Sequence, residues 1–458
     1  MVYQLHPLQD PRWAELVASH PRSSVFHTVA WLETLNRTYG YEPVAYTTSP
    51  PGTRLDNGLV FCQVTSWITG RRMVSLPFSD HCEPLADSAA EEDLLLSASE
   101  EMLFDQMLRY VEVRPIRSLA ETATNWRPSD TYIFHELDLR PELTTLLHNF
   151  HKSSTQRKIQ RAERECLSYE TGRSPALLDA FRDVLLITRR RHQIPPQPKR
   201  WFRNLIDCFG EALEIRVAYK ERRPVAAILT LRHKDTLVYK YGCSDERFHS
   251  LGGTQLLFWR SIQEAKGDGL RAFDLGRTDR DNEGLLTFKD RWGAVRSTLT
   301  YLRFSDSQSS AAVGRVGSEW ASRLAKGVVP YLPDRALAYG RQRALQAHRL
   351  TKTFMLAGPT GRQSVLLLVW MMSVALLWAP LDAVMRLLLN DNQIFLGQLP
   401  GEAQFHLRHF RQHRFCFGVV AGAALRGTSS PVTLRTFWCS SYFSFLCGNP
   451  VPPSSPET

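Results

Sequence analysis

The chain has 458 residues, 43% hydrophobic and 10% aromatic, which excludes a disordered protein and predicts two or three folded units rather than one core. With 56 Lys and Arg against 46 Asp and Glu, the formal net charge is +10 and the pI is near 9.3. That balance favours anionic partners: phosphates, nucleotide-linked precursors, RNA or an anionic membrane face. Eight cysteines, at 62, 82, 166, 208, 243, 416, 439 and 447, form no C-x-x-C pair and no disulfide framework, which predicts a reducing cytoplasm. The opening MVYQLHPLQDPRW has neither a basic n-region nor an apolar h-region, so no cleaved signal peptide is expected.

In chain order, residues 13–35 read as two amphipathic helices broken at HPRSS. GLVFCQVTSW (58–67) and RMVSLPFSD (72–80) alternate as strands around the turn ITGR. Residues 89–109 are helical and VEVRPI is a strand, closing a mixed α/β unit near residue 140. The second unit opens with HKSSTQRKIQRAEREC (151–166), a basic helix with Ser153 or Ser154 as its N-cap. Helices follow at 175–192 and in WFRNLIDCF, then three strands: ALEIRVAYK, RPVAAILTLRH and TLVYKYGCS. The helix 254–269, the strand RAFDLG, a loop and the strand VRSTLTYLRF complete the unit. The third strand of each unit ends in Ser-Asp, at 77–80 and 242–245, a weak internal echo.

Beyond residue 305 the composition changes. A linker and helix are expected over 306–362, a transmembrane helix is one reading of 363–390, and 391–458 is left unassigned. SVLLLVWMMSVALLWAPL (364–381) has 18 residues without charge, the lower edge of a bilayer span; a buried helix is the other reading. The expected location is therefore cytoplasmic, with 364–381 as a potential membrane anchor. His406, His409, His413 and Cys416 lack a second ligand cluster, so no metal site is expected.

The most unusual stretch is FDLGRTDRDNEGLLTFKDRWGA (273–294), where Asp274, Arg277, Lys289 and Trp292 crowd behind an apolar strand. Its plainest account is a structural ion pair at a strand end, with Trp292-Gly293 as a packed indole and a turn. Arg157, Arg161 and Arg164 share one face of the basic helix, either as a solvated face or, with Lys152, as a wall for a phosphate-bearing substrate.

Several separated motifs occur in a characteristic order: HKSSTQRKIQRAERE, ITRRRHQIPPQP, GGTQLLFWRSIQEAKGDGLRAFDLGRT and FKDRWGA. Over about residues 10–305 the chain resembles the FemAB/FemX-like branch of the GNAT acyltransferase superfamily, in particular bacterial proteins associated with exopolysaccharide and exosortase systems. The resemblance implies an α/β (α+β) fold of two tandem GNAT-like domains, 1–140 and 141–305. It also implies transfer of an acetyl or aminoacyl group to an amine of a cell-envelope or exopolysaccharide precursor. It identifies Lys289, in the Phe-Lys motif, as the catalytic lysine. Arg190 or Arg191 corresponds to the acceptor-phosphate arginine, and Tyr239 or Tyr241 to the family's strand aromatic. The acceptor is then anionic and the co-substrate is acyl-CoA or aminoacyl-tRNA, with no resident cofactor.

Such transfer passes through a tetrahedral oxyanion, and a fixed cation aimed at it lowers the barrier by about 3–4 kcal/mol. Lys289 suits that role. Asp274 would orient Lys289 or take the amine proton, and Arg277 would hold a phosphate bidentately. The loop ERFHSLGGT resembles the GNAT pyrophosphate cradle at a helix N-terminus. Arg247 leads it and Gly252 and Gly253 close it, but Ser250 replaces the first glycine, which leaves a flexible turn as an equal reading. The alternative for the whole protein is a non-catalytic member of the fold that binds RNA or an anionic membrane surface.

Overall fold

The computed structural model describes residues 1–66, 70–119, 123–194 and 196–305. The first half comprises β1 (Tyr3–Leu5), α1 (Pro11–Ser19), α2 (Val29–Tyr39), β2 (Glu42–Thr47), β3 (Leu59–Ser66), β4 (Gly70–Val74), α3 (Ala89–Asp105), β5 (Val111–Val113) and β6 (Arg127–Asp138). The second comprises α4 (Leu143–Asn149), α5 (Arg157–Arg164), β7 (Ser168–Gly172), α6 (Pro175–Arg191), α7 (Lys199–Phe209), β8 (Leu213–Lys220), β9 (Arg223–His233), β10 (Thr236–Ser244), α8 (Gly253–Gly267), β11 (Ala272–Asp279), α9 (Glu283–Asp290) and β12 (Val295–Phe304).

These strands form one sheet in the order β1-β2-β3-β4-β5-β12-β6-β11-β10-β9-β8-β7. The order is palindromic: β1 to β5 run inward from one edge, β7 to β11 from the other. The parallel pairs are β4 with β5 and β10 with β11, at matching places in the two halves. The last strand of each half is lodged in the other, β12 beside β5 and β6 beside β11. The halves expected at 1–140 and 141–305 therefore exchange strands across that boundary.

Local chemistry accounts for the helices. Asp10 caps α1 with Pro11 in its first turn, Thr28 caps α2 and Gly40 ends it in a left-handed conformation. Ser88 and Glu91 form a reciprocal capping box on α3, and Ser174 with Pro175 starts α6. One core joins the halves across a face of the sheet. Trp31 of α2 meets Trp201 of α7 edge to face at 5.6 Å, and Tyr39 lies 5.4 Å from the same indole. A second core gathers Phe150, Phe258, Phe273 and Trp292 beneath α8.

The structure departs from the sequence expectation in four places. Of the expected strand at 72–80 only residues 72–74 pair, as part of Gly70–Val74; the chain then leaves the sheet and carries Asp80 and His81 toward the other half. The expected loop after Gly276 is instead three more residues of β11 followed by α9, which Asn282 caps by accepting from the Leu285 N–H. Its polar letters are a cap and an exposed helix face. The basic segment starts at His151, which caps a π-turn (Lys152–Gln156) leading into α5, rather than at a serine. Strands β6 and β7 went unforeseen because Pro128 and the polar edge sequence SYETG hide their alternation.

Among the described residues no helix is long and apolar enough to cross a membrane, and no group of metal-ligating side chains gathers. The stretch 364–381, the segment 306–362 and the tail bearing His406, His409, His413 and Cys416 lie outside the described residues.

Candidate active site

The parallel pair β10 and β11 stays in register for only three residues, Thr236↔Ala272, Leu237↔Phe273 and Val238↔Asp274. Beyond that point β10 remains with β9 and β11 with β6, so a split opens between them. Both flanking strands carry an irregularity at its mouth. On β10 the register shifts between Tyr239 and Tyr241, making Lys240 the extra residue. On β11 it shifts between Asp274 and Arg277, where Gly276 has φ +73°. A bulge re-aims the side chains beside it, and here it turns charged groups toward the gap.

Gly276 is the pivot. A Cβ there would lie 2.8 Å from Asp80 Oδ2, so only glycine admits that carboxylate. The Gly276 N–H donates to Asp274 Oδ1 at 2.6 Å, and its carbonyl accepts from Lys289 Nζ at 2.8 Å. Lys289 reaches this point because α9 buries one stripe, Leu286 and Lys289, an i and i+3 pair. Its ammonium also donates to the Arg277 carbonyl at 3.1 Å. An ammonium has three donors, and the third has no hydrogen-bond partner among the described residues. Burial pushes the Lys289 pKa down to about 8, against the opposing charges of Asp80 and Asp274 and with the help of Lys240.

The first half supplies the rest. Asp80 Oδ1 lies 3.4 Å from Lys240 Nζ and 3.7 Å from Arg277 Nε, and its main-chain carbonyl accepts from the Tyr301 hydroxyl at 2.6 Å. Burial acts to raise the Asp80 pKa, but Lys240, Arg277, His81 and Lys289 outweigh it and hold the carboxyl below its ordinary value. Lys240 sits among the rings of Phe26, Trp31 and Tyr241 at 5.0, 5.4 and 6.0 Å, and burial depresses its pKa. His81 Nε2 lies 3.1 Å from Asp274 Oδ2. Burial disfavours a charged ring there, yet the hydrogen bond and charge of Asp274, with Asp80 and Glu83, prevail and raise its pKa. Lys289, Asp274 and His81 are 2%, 3% and 7% exposed, so these charges meet with little water to screen them. Arg277 lies nearer the rim, its guanidinium 4.2 Å over the Tyr132 ring and 5.3 Å from that of Tyr301.

Residues 150–289 match the family model of the acetyltransferase (GNAT) domain. The crystal structure of FemX is similar at a TM-score of 0.55, with 14% identity, over 67% of this chain and 98% of that one. The chain has the FemX-like GNAT fold. Weaker likenesses include L-PGS from Bacillus licheniformis (TM-score 0.45, 15% identity, 70% of this chain and 98% of that one). Another is a tandem GNAT protein from the clavulanic acid biosynthesis pathway (0.44, 12%, 67% and 98%). No curated protein matches the sequence.

Within this fold the expected residues fall into two groups. Lys289, Asp274 and Arg277 meet at the split. Tyr239 and Tyr241 flank it, but the intervening bulge sends them to opposite faces of the sheet. Tyr239 packs 4.8 Å from Phe258, while the Tyr241 hydroxyl accepts from Trp201 Nε1 at 2.8 Å. Trp292 is the packed indole expected, stacked 5.1 Å from Phe258.

The second group comes from the end of α6, the basic segment and the turn before α8. Arg190 and Arg191 end α6, where Arg191 lies 3.3 Å from His249 Nε2 and 3.8 Å from Glu246. Lys152 and Arg157 are exposed at the start of the basic segment. Arg247 chelates Asp245 through Nε and Nη2. Gly252 has φ +80°, and a Cβ on it would meet the Lys158 carbonyl at 2.2 Å. Gly253 packs tightly on Val225 and Ala226. Packing of α5 thus accounts for Gly252, and Asp245 for Arg247, before any diphosphate is considered.

Asp80, His81 and Lys240 were missed from the sequence. The Ser-Asp echo marked position 80, but its counterpart Asp245 caps a short turn and pairs with Arg247 and Arg223. Nothing local distinguishes the two.

Proposed function

We propose that the protein is an N-acyltransferase in which the Lys289 ammonium stabilises the oxyanion formed when an amine attacks an acyl donor. The observation that carries this reading is a buried cation, fixed by two main-chain carbonyls beside the strand split, with one donor left over. Such a group need not reorganise as negative charge develops, and low polarity magnifies its effect. Asp274 tethers Gly276 from its other side, through the N–H of the preceding peptide. In this reading Arg277, Arg190, Arg191, Lys152 and Arg157 hold an anionic acceptor such as a nucleotide-linked amino sugar or peptide precursor of the cell envelope or exopolysaccharide. The domains 1–140 and 141–305 act as one unit in this reading, because the site draws on both.

The donor is an acyl-CoA or an aminoacyl-tRNA. The engagement of Arg247 and Gly252 within the protein favours the donor that does not depend on a diphosphate cradle. Acetyl-CoA at about 100 times a typical dissociation constant would stabilise a binder by about 2.7 kcal/mol. A thermal unfolding series with and without acetyl-CoA therefore separates the donors. Turnover is tested with Lys289→Met, which should cost about 100- to 1,000-fold in kcat with the unfolding midpoint little changed. A variant that keeps full turnover sinks the reading.

A further inference from the structure

Acyl transfer also needs a group that removes the proton of the attacking amine, and a charged lysine is not that group. Asp80 is a poor choice, since Lys240 and Arg277 bracket its carboxylate. Glu136 faces Asp274 directly across the β6–β11 pair but makes no hydrogen bond to it. His81 differs from both in being oriented. Its ring is wedged edge-on between Phe26 at 5.3 Å and Phe134 at 5.5 Å, and its Nε2 meets Asp274 Oδ2. An ionised carboxylate only accepts, so Nε2 carries the hydrogen and the lone pair of neutral His81 lies on Nδ1. Nδ1 has no hydrogen-bond partner among the described residues. Asp274 is fixed in turn by the Gly276 N–H, and the Gly276 carbonyl holds Lys289. One glycine residue, through the two peptides that flank its Cα, thereby ties the histidine–aspartate pair to the cation.

We propose that His81, delivered by the first half and oriented by Asp274 of the second, is the proton acceptor of acyl transfer. This rests on the acyltransferase reading above. The amine lone pair attacks the donor carbonyl carbon, forming the C–N bond and placing negative charge on the oxygen beside Lys289. The amine proton passes to His81 Nδ1 while Nε2–H stays on Asp274. As the C–O bond of an ester donor or the C–S bond of a thioester breaks, the leaving oxygen or sulfur takes that proton and His81 is neutral again. A base oriented by a third group is a recurrent arrangement for such steps. The charged and titratable groups around His81 are Asp274 on β11, Asp80 and Glu83 on its own segment, Glu136 on β6, and His27 before α2, which burial holds neutral at a pKa of about 3. The acidic members raise the His81 pKa above its ordinary 6.5, so activity should rise with pH on a limb above 6.5.

The test uses the full chain, acetyl-CoA and alanyl-tRNA as donors, and UDP-linked glucosamine and a lysine-containing peptide as amines. His81→Gln should lower kcat by about 100-fold or more with KM within a few-fold, abolish the acid limb and respond to added imidazole. Asp274→Asn should move that limb to lower pH, a change that a purely structural role would not produce. Near-normal kcat or a surviving acid limb in His81→Gln overturns the proposal. If that variant fails to fold, an unmoved limb in Asp274→Asn overturns it instead. A wild-type protein inactive with both donors defeats the underlying reading. An active wild type that Lys289→Met silences but His81→Gln leaves intact defeats the pair alone.

Discussion

The two parallel strand pairs invite comparison, because each opens into a split at the same topological place. In the first half β4 and β5 pair at Met73↔Val111 and Val74↔Glu112 and then part. Their own chain closes that gap. Arg114 Nη1 donates to the carbonyls of Leu76 and Ser79 at 2.7 and 3.1 Å, its Nε and Nη2 go to Glu112, and Cys82 bridges back to Arg114. In the second half the split between β10 and β11 receives Asp80 and His81 from the other half, together with Lys240 and Lys289. The first gap is sealed by backbone bonds that use up one arginine. The second gathers ionisable groups and leaves a lysine donor and a histidine nitrogen unspent. A shared fold thus yields one structural plug and one buried cluster of ionisable groups, and what separates them is which segment fills the gap.

That contrast can be broken most directly at Arg114. Arg114→Met should cost about 2–3 kcal/mol of stability, since it leaves two carbonyls without their donor and Glu112 with Arg303 as its remaining partner, while the specific activity of the folded fraction stays unchanged. Chemical denaturation with parallel turnover measurements checks both halves of that statement. Gly276→Ala attacks the other split. It places a Cβ at φ +73° against Asp80 Oδ2, and a loss of about 1–3 kcal/mol is expected. Turnover should fall further than stability, because the displaced residue holds Asp274 through its N–H and Lys289 through its carbonyl.

Titration sharpens the comparison. Lys289 must be charged to act, so activity should decline on an alkaline limb centred near pH 8, where it loses its proton. Lys289→Arg should remove that limb, since a guanidinium stays protonated, and a limb that persists would assign it elsewhere. The folded-state pKa of Asp80 lies below its ordinary 3.8, so its contribution to stability is present above about pH 4 and is lost as pH falls through the depressed value. Asp80→Asn should flatten the acid side of the stability profile. The smallest effect is expected at Arg247→Ala, whose guanidinium is largely exposed: no measurable change in Tm, and none in acetyl-CoA response if the donor is not a CoA ester.

Much of the fold was legible because its signals are local. The helices over 89–109 and 175–192 and the apolar alternation of β8, β9 and β10 depend on neighbours a few residues away. Lys289 and Asp274 stood out because charged residues crowded behind an apolar strand. The edge strand β7 and the Pro-containing β6 were hidden by polar sequence. The meeting of His81 with Asp274 spans 193 positions, and no periodicity encodes it.

From the amino-acid order alone came the α/β character, the two-part plan and the crowding of Asp274, Arg277 and Lys289 behind an apolar strand, since turns and patterning are set by short-range sterics and burial. The exchange of β6 and β12, the opposed directions of Tyr239 and Tyr241, and the assembly of Asp80, His81 and Lys240 around Gly276 were decided only in three dimensions. Those depend on register and strand order, which fix distant side chains relative to one another through bulges and pairings that no single segment specifies.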